Sequence, residues 1–103
     1  MNDINSIEII IEENGVTYDL NIIPRDLKVY ISNLEKKIEI SMIEKILDII
    51  CKWDYEYVDD SKIDVPVCTI KVNTKEGTDK YLLKGVFPNG YRELRDMVAE
   101  IYG

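Results

Sequence analysis

The sequence predicts an α+β domain: an antiparallel sheet of about five strands in the order β-β-β-(β)-α-β-β-α, with two helices packed on one face. Three observations predict it. Asn14-Gly15 stands between two runs of alternating polarity. Two later segments, ending near Trp53 and near Ile101, space their apolar residues as helix faces do. Strands and helices come in blocks rather than in regular alternation, which argues against a parallel β-α-β sheet. A chain of 103 residues fits one domain, residues 1–103, with a single modest core.

The elements follow in order. Ile7, Ile9 and Ile11 alternate with Ser6, Glu8, Ile10 and Glu12. Beyond Asn14-Gly15, Val16, Tyr18, Leu20 and Ile22 alternate with Thr17, Asp19 and Asn21. Asn and Gly both tolerate positive φ, so this is a hairpin with one core face and one wet face, on which Ile10 is the exception. Pro24 interrupts the ladder because it has no N–H to donate. Leu27, Val29 and Ile31 then read as a third strand. Residues 33–40 are ambiguous: Ser32 with Glu35 fits a helical capping box, whereas Ile38 and Ile40 fit a short return strand, and a turn with a short strand is the preferred reading. Ser41 and Glu44 form a second capping box, which predicts a helix from about residue 42 to about residue 54. Its core stripe is Ile43, Ile46, Leu47, Ile50 and Trp53. Cys68, Ile70 and Val72 alternate as the next strand, and Gly77 supplies a turn into a strand from Asp79 to about Val86. The segment from Phe87 to Gly90 opens a last helix whose inner stripe is Tyr91, Leu94, Val98 and Ile101, with Met97 beside it.

Composition narrows the function. Apolar residues make up 46% and charged residues 32%, an ordinary globular balance rather than a disordered one. The net charge of −7 repels a phosphate backbone, which argues against direct nucleic-acid binding and suits a protein partner with a basic surface. Histidine is absent, which removes the commonest general base, metal ligand and nucleophile partner. MNDINSIEII has no basic segment followed by a long apolar one, so it does not read as a signal peptide, and no apolar run reaches the length of a membrane span. Cys51 and Cys68 are not in a C-x-x-C spacing; a cytoplasmic chain with two free, core-lining thiols is expected.

The richest stretch is WDYEYVDDSKID, residues 53–64, with three aromatics and five acids. As a calcium loop it lacks the glycine and the closing glutamate that the coordination geometry requires, so no metal site is expected. As a catalytic pair, Asp59 and Asp60 sit in a polar segment with nothing to separate their pKa values. Cys51 has no histidine to activate it, and no glycine run has phosphate-loop spacing. Neither catalytic residues nor a cofactor is therefore expected.

What remains is a binding surface. Acids interleaved with aromatics offer contact area and charge complementarity to a basic partner. The candidate protein-binding residues are Asp54, Tyr55, Glu56, Tyr57, Asp59 and Asp60, while Trp53 is expected in the core. The plain alternative is a charged connector, and exposure of Tyr55 and Tyr57 separates the two. In outline the chain resembles acidic inhibitors such as phage anti-defence (anti-CRISPR-like) and toxin-immunity proteins, which implies a non-enzymatic binder. A homodimer or assembly subunit is the other reading; Pro24 and Pro66 are expected to blunt sheet edges against strand addition.

The second half carries a further likeness. Trp53, the strand pair 65–73 and 79–86, and the run Gly85-Val86-Phe87-Pro88-Asn89-Gly90-Tyr91-Arg92-Glu93-Leu94 follow one pattern: a Trp-ended helix, a strand hairpin, then Gly-x-Phe-Pro-x-x-Tyr-x-x-Leu opening a C-terminal helix. Residues 50–102 thus resemble small α+β proteins of Firmicutes and their mobile elements. Asp64-Val65-Pro66 lacks the Asp-Gly that often precedes the first strand in that group. The resemblance implies a fold, and no activity follows from it.

Overall fold

The computed structural model describes residues 3–103. The Asn14-Gly15 hairpin is its first unit: β1 (Ile4–Glu13) and β2 (Val16–Ile23) pair antiparallel, with both turn residues at positive φ. β3 (Lys28–Ile31) and β4 (Leu34–Lys37) form a second hairpin beside β2. Helix α1 (Ile40–Ile50) follows, then β5 (Glu56–Val58), the hairpin β6 (Val67–Thr74) and β7 (Gly77–Lys84), and helix α2 (Tyr91–Tyr102). The α+β class stands, but the sheet has seven strands in the order β4-β3-β2-β1-β6-β7-β5. It is mixed rather than wholly antiparallel, because β5 pairs parallel with β7. Residues 34–37 are strand, whereas β5 was not legible: three residues among acids carry too little period-two signal.

Alternation along the strands decides the layers. Ile7, Ile9 and Ile11 lie opposite Ile22, Leu20 and Tyr18 on one side and Val72, Ile70 and Cys68 on the other. These side chains, with Val29, Tyr81 and Leu83, form one cluster with the apolar stripes of both helices, buried except for Tyr18, which packs half-buried against it. The opposite face carries Glu8, Ile10, Asn21, Lys71 and Lys80, and no described helix covers it.

Several local expectations fail for identifiable reasons. Ser41 does not cap α1; Glu39 holds the extended N-cap conformation, and its carbonyl accepts from the Met42 and Ile43 N–H groups. Ile38 is buried and its N–H bonds to the Leu27 carbonyl, which fixes the chain just ahead of the helix and starts it two residues early. α1 also stops before Trp53. Leu27 is not in a strand: it closes a 3-10 turn at Pro24–Asp26 in the left-handed conformation. Val16 is exposed at the hairpin tip, opposite Glu13. Cys68 is buried in the core, which pushes its thiol pKa up to about 12, but Cys51 is exposed at the end of α1. The edge strands are β4 and β5, so neither Pro24 in the 3-10 turn nor Pro66 beside interior β6 protects an edge. Edge β4 carries Lys36 and Lys37, a common guard against pairing. Lys36 Nζ also donates to the Ile101 and Tyr102 carbonyls at 3.0 and 3.3 Å, placing a cation at the negative end of α2.

Candidate protein-binding edge

The acidic stretch begins in the core and ends on the surface. After Ile50 the N–H groups of Cys51, Lys52 and Trp53 close on the Leu47, Ile49 and Ile50 carbonyls, so a turn replaces the expected last turn of helix. The Trp53 ring is buried, as its place in the stripe predicts, and Nε1 donates to the Asn89 carbonyl at 2.9 Å. That bond satisfies the indole and ties the start of the stretch to the loop before α2.

The next residues form the outer edge of the sheet. The Leu82 N–H donates to the Tyr55 carbonyl and the Asp59 N–H to the Lys84 carbonyl, each at 2.9 Å. Backbone polar groups alternate sides along a paired strand, so those of Glu56 and Val58 point outward. Glu56 lies beside Leu82, on the sheet face that no described helix covers, and Tyr57 lies beside Leu83 on the core face.

The two tyrosines differ in exposure. Tyr57 is half-buried against the core, and its hydroxyl accepts from the Asp54 N–H at 3.0 Å. Tyr55 is 59% exposed, with its ring tilted 40° and centred 5.1 Å from the buried ring of Tyr81. An aromatic neighbour at that spacing braces the ring without covering its outer face. The Tyr55 hydroxyl stands 3.5 Å from Asp79 Oδ1, too long for a sound O–H···O bond. Asp54 and Glu56 are exposed and form no ion pair among the described residues.

Of the second pair of acids, Asp59 is engaged by its own loop, and Asp60 has one exposed ion-pair contact. Asp59 Oδ1 accepts from the Ser61 hydroxyl at 2.5 Å and the Ser61 N–H at 3.1 Å, and Lys62 Nζ lies 3.9 Å from Oδ2. Those Ser61 bonds, helped by Lys62, hold the Asp59 carboxyl below its usual pKa. Asp60 faces Lys84 at 3.8 Å. The chain turns inward here because β5 and β6 flank β7, so residues 59–66 must cross the end of β7. They do so at Gly85, whose φ is +78° and whose missing Cβ would stand 3.0 Å from the Asp59 carbonyl oxygen. Lys62 Nζ donates to the Gly85 carbonyl at 2.9 Å and closes the crossing.

Of the six expected residues, Asp54, Tyr55 and Glu56 share the exposed edge; Tyr57 is mainly a packing residue; Asp59 and Asp60 belong to the crossing. Three relevant residues were not singled out. Asp79 and Tyr81 reach the edge only because β7 pairs with β5, a pairing with no local sequence signal. Ile63, 87% exposed in the crossing, is a lone apolar residue in a polar segment, which sequence alone does not distinguish from a core residue. Four surface hollows of about 320, 460, 450 and 390 Å³ are lined by residues outside 54–60. No cluster of three metal-binding side chains occurs among the described residues, and no described helix is long and apolar enough to cross a membrane. Comparison with known proteins found no matching family model, no matching curated protein and no matching solved structure.

Proposed function

We propose that this chain is a non-enzymatic, cytoplasmic, acidic protein-binding domain, an inhibitor or immunity/anti-defence protein of the anti-CRISPR-like kind. Its partner is a basic, nucleic-acid-handling bacterial protein. The observation that carries the reading is the edge Asp54-Tyr55-Glu56: two unpaired carboxylates flank an exposed tyrosine braced on Tyr81. Rigid aromatics with polar tips are favoured anchors, and charges not already paired are the ones free to meet a cationic groove. Asp79, near the Tyr55 hydroxyl, adds to the same field.

The test is inhibition of DNA cleavage by a panel of purified bacterial nucleases with basic grooves, CRISPR effectors among them, with binding measured at low and high salt. Wild type inhibits at least one enzyme in a salt-sensitive complex, and the Asp54→Lys/Glu56→Lys variant loses the effect. The reading fails if no enzyme of the panel is inhibited, or if charge reversal leaves inhibition unchanged. The uncovered sheet face, where half-buried Ile10 and Leu82 flank Thr69, favours a second reading, an assembly module. A tight dimer, insensitive to salt in light scattering, is the result that selects it.

A further inference from the structure

The 3-10 turn at Pro24–Asp26 and the first residue of α1 border a hollow of about 460 Å³, on a part of the molecule separate from the acidic edge. Ile4, Pro24, Leu27 and Ile40 give it apolar walls, and its charged lining residues are Arg25 and Lys75. No carboxylate lines it, in a chain with 20 acids. The other three hollows each include at least one: Asp48 and Glu93, Glu12 and Asp64, or Glu13. Neither Arg25 nor Lys75 forms an ion pair among the described residues.

Leu27 points the same way. Four described residues other than glycine have positive φ, and three of them, Asn14, Ser32 and Asp64, are small and polar. Leu27 is the fourth, at φ 51° and ψ 47°. The turn requires that conformation, since the Leu27 N–H must reach the Pro24 carbonyl and its own carbonyl must accept from Ile38. It does not require leucine, for which the left-handed region is unfavourable. Nor is the strain offset by burial, because Leu27 is 42% exposed and Ile40 beside the hollow is 49% exposed. A strained, uncovered apolar residue lining a cationic hollow is a feature of ligand sites rather than of cores.

We infer that this hollow binds a small amphipathic carboxylate. The aliphatic body packs on Ile4, Pro24, Leu27 and Ile40, and the carboxylate is held by Arg25 and Lys75. The volume falls within the range of roughly 300–1,000 Å³ common for small-molecule sites. A bare inorganic anion would leave the apolar walls unused, and an amphipathic cation would meet two like charges.

Octanoate, below its micelle concentration, is a suitable probe in a ¹H–¹⁵N titration of the whole chain, with octanamide, octylammonium and inorganic phosphate as controls. Octanoate is expected to shift the amides of Leu27, Ile40 and Lys75 in a saturable way, and the controls are not. Arg25→Gln/Lys75→Gln, both surface changes, weakens octanoate by about tenfold or more, as the loss of a charge-assisted contact implies. Leu27→Asn also weakens it, while resistance to denaturant is kept or raised because asparagine tolerates the left-handed conformation. The assignment is overturned if octanamide or phosphate shifts the same amides as strongly as octanoate. It is equally overturned if millimolar octanoate gives no localised shifts, or if the double variant binds as wild type does.

Discussion

Residues 54–56 and residues 59–62 are near neighbours of similar acidic composition, and the fold treats them oppositely. The first three lie along a free sheet edge, where Asp54 and Glu56 keep their charges unpaired and Tyr55 shows its outer face. The later segment crosses the end of β7, where Asp59 binds both Ser61 and Lys62 and Asp60 meets Lys84. Acidic density alone therefore does not mark a recognition surface. What distinguishes the segments is whether the chain path needs the acids. A strand at an edge asks nothing of its outward side chains, whereas a tight crossing needs side-chain acceptors for backbone N–H groups that no ladder satisfies.

Four variants test that contrast, from the largest expected effect to the smallest. Trp53→Ala removes the anchor from which both segments depart and leaves a cavity in the core; it should cost about 3–5 kcal/mol in chemical unfolding. A loss well under that would mean the stretch is held mainly by β5. Gly85→Ala strikes the crossing alone, forcing a Cβ toward the Asp59 carbonyl at positive φ, and should cost roughly 1–3 kcal/mol. If stability is unchanged, residues 59–66 are not packed as tightly as the contrast requires.

Asp59→Asn is subtler and shows in pH dependence. The folded-state pKa of Asp59 is depressed, chiefly by Ser61, so its contribution is present above the unfolded value of about 3.9 and is lost as pH falls through the lower folded value. The stability difference between wild type and Asp59→Asn should accordingly shrink as acid unfolding curves are taken below pH about 3.9. A difference independent of pH there would remove the Ser61 bonds from the account. Asp54→Lys/Glu56→Lys should change unfolding free energy by no more than about 0.5 kcal/mol, since neither carboxylate has a structural partner. A larger loss would show that the edge acids also serve the fold.

Much of the architecture was legible because its signals are local. Asn14-Gly15 announces a hairpin through φ, the odd-numbered isoleucines of β1 announce a core face through alternation, and the stripe from Ile43 to Ile50 announces α1 through periodicity. The errors cluster where a distant partner outweighs a local preference. Ser41 had the right neighbour for a cap, but burial of Ile38 and its bond to Leu27 fixed the helix start earlier. Trp53 had the right phase for another helical turn, but its indole bonds to Asn89 from a turn instead. For the candidate site, the sequence singled out a twelve-residue stretch and made the exposure of its tyrosines the deciding point, but it did not show how Tyr55 and Tyr57 divide.

By itself the sequence determined the α+β class, the two hairpins nearest its turn glycines, the core face of β1, β2 and β6 and the stripe each helix lays down. These depend on φ preferences and on periods of two and 3.6 residues, which a chain carries locally. Only the tertiary structure decided that β5 exists, that it runs parallel to β7 at the edge, and that the next residues must cross over Gly85. A three-residue strand has too little pattern to announce itself, and it is stable only because β7 offers it a ladder. That pairing leaves Asp54, Tyr55 and Glu56 free while Asp59 and Asp60 are engaged, because unpaired charge depends on where the chain must go next and not on how many acids it contains.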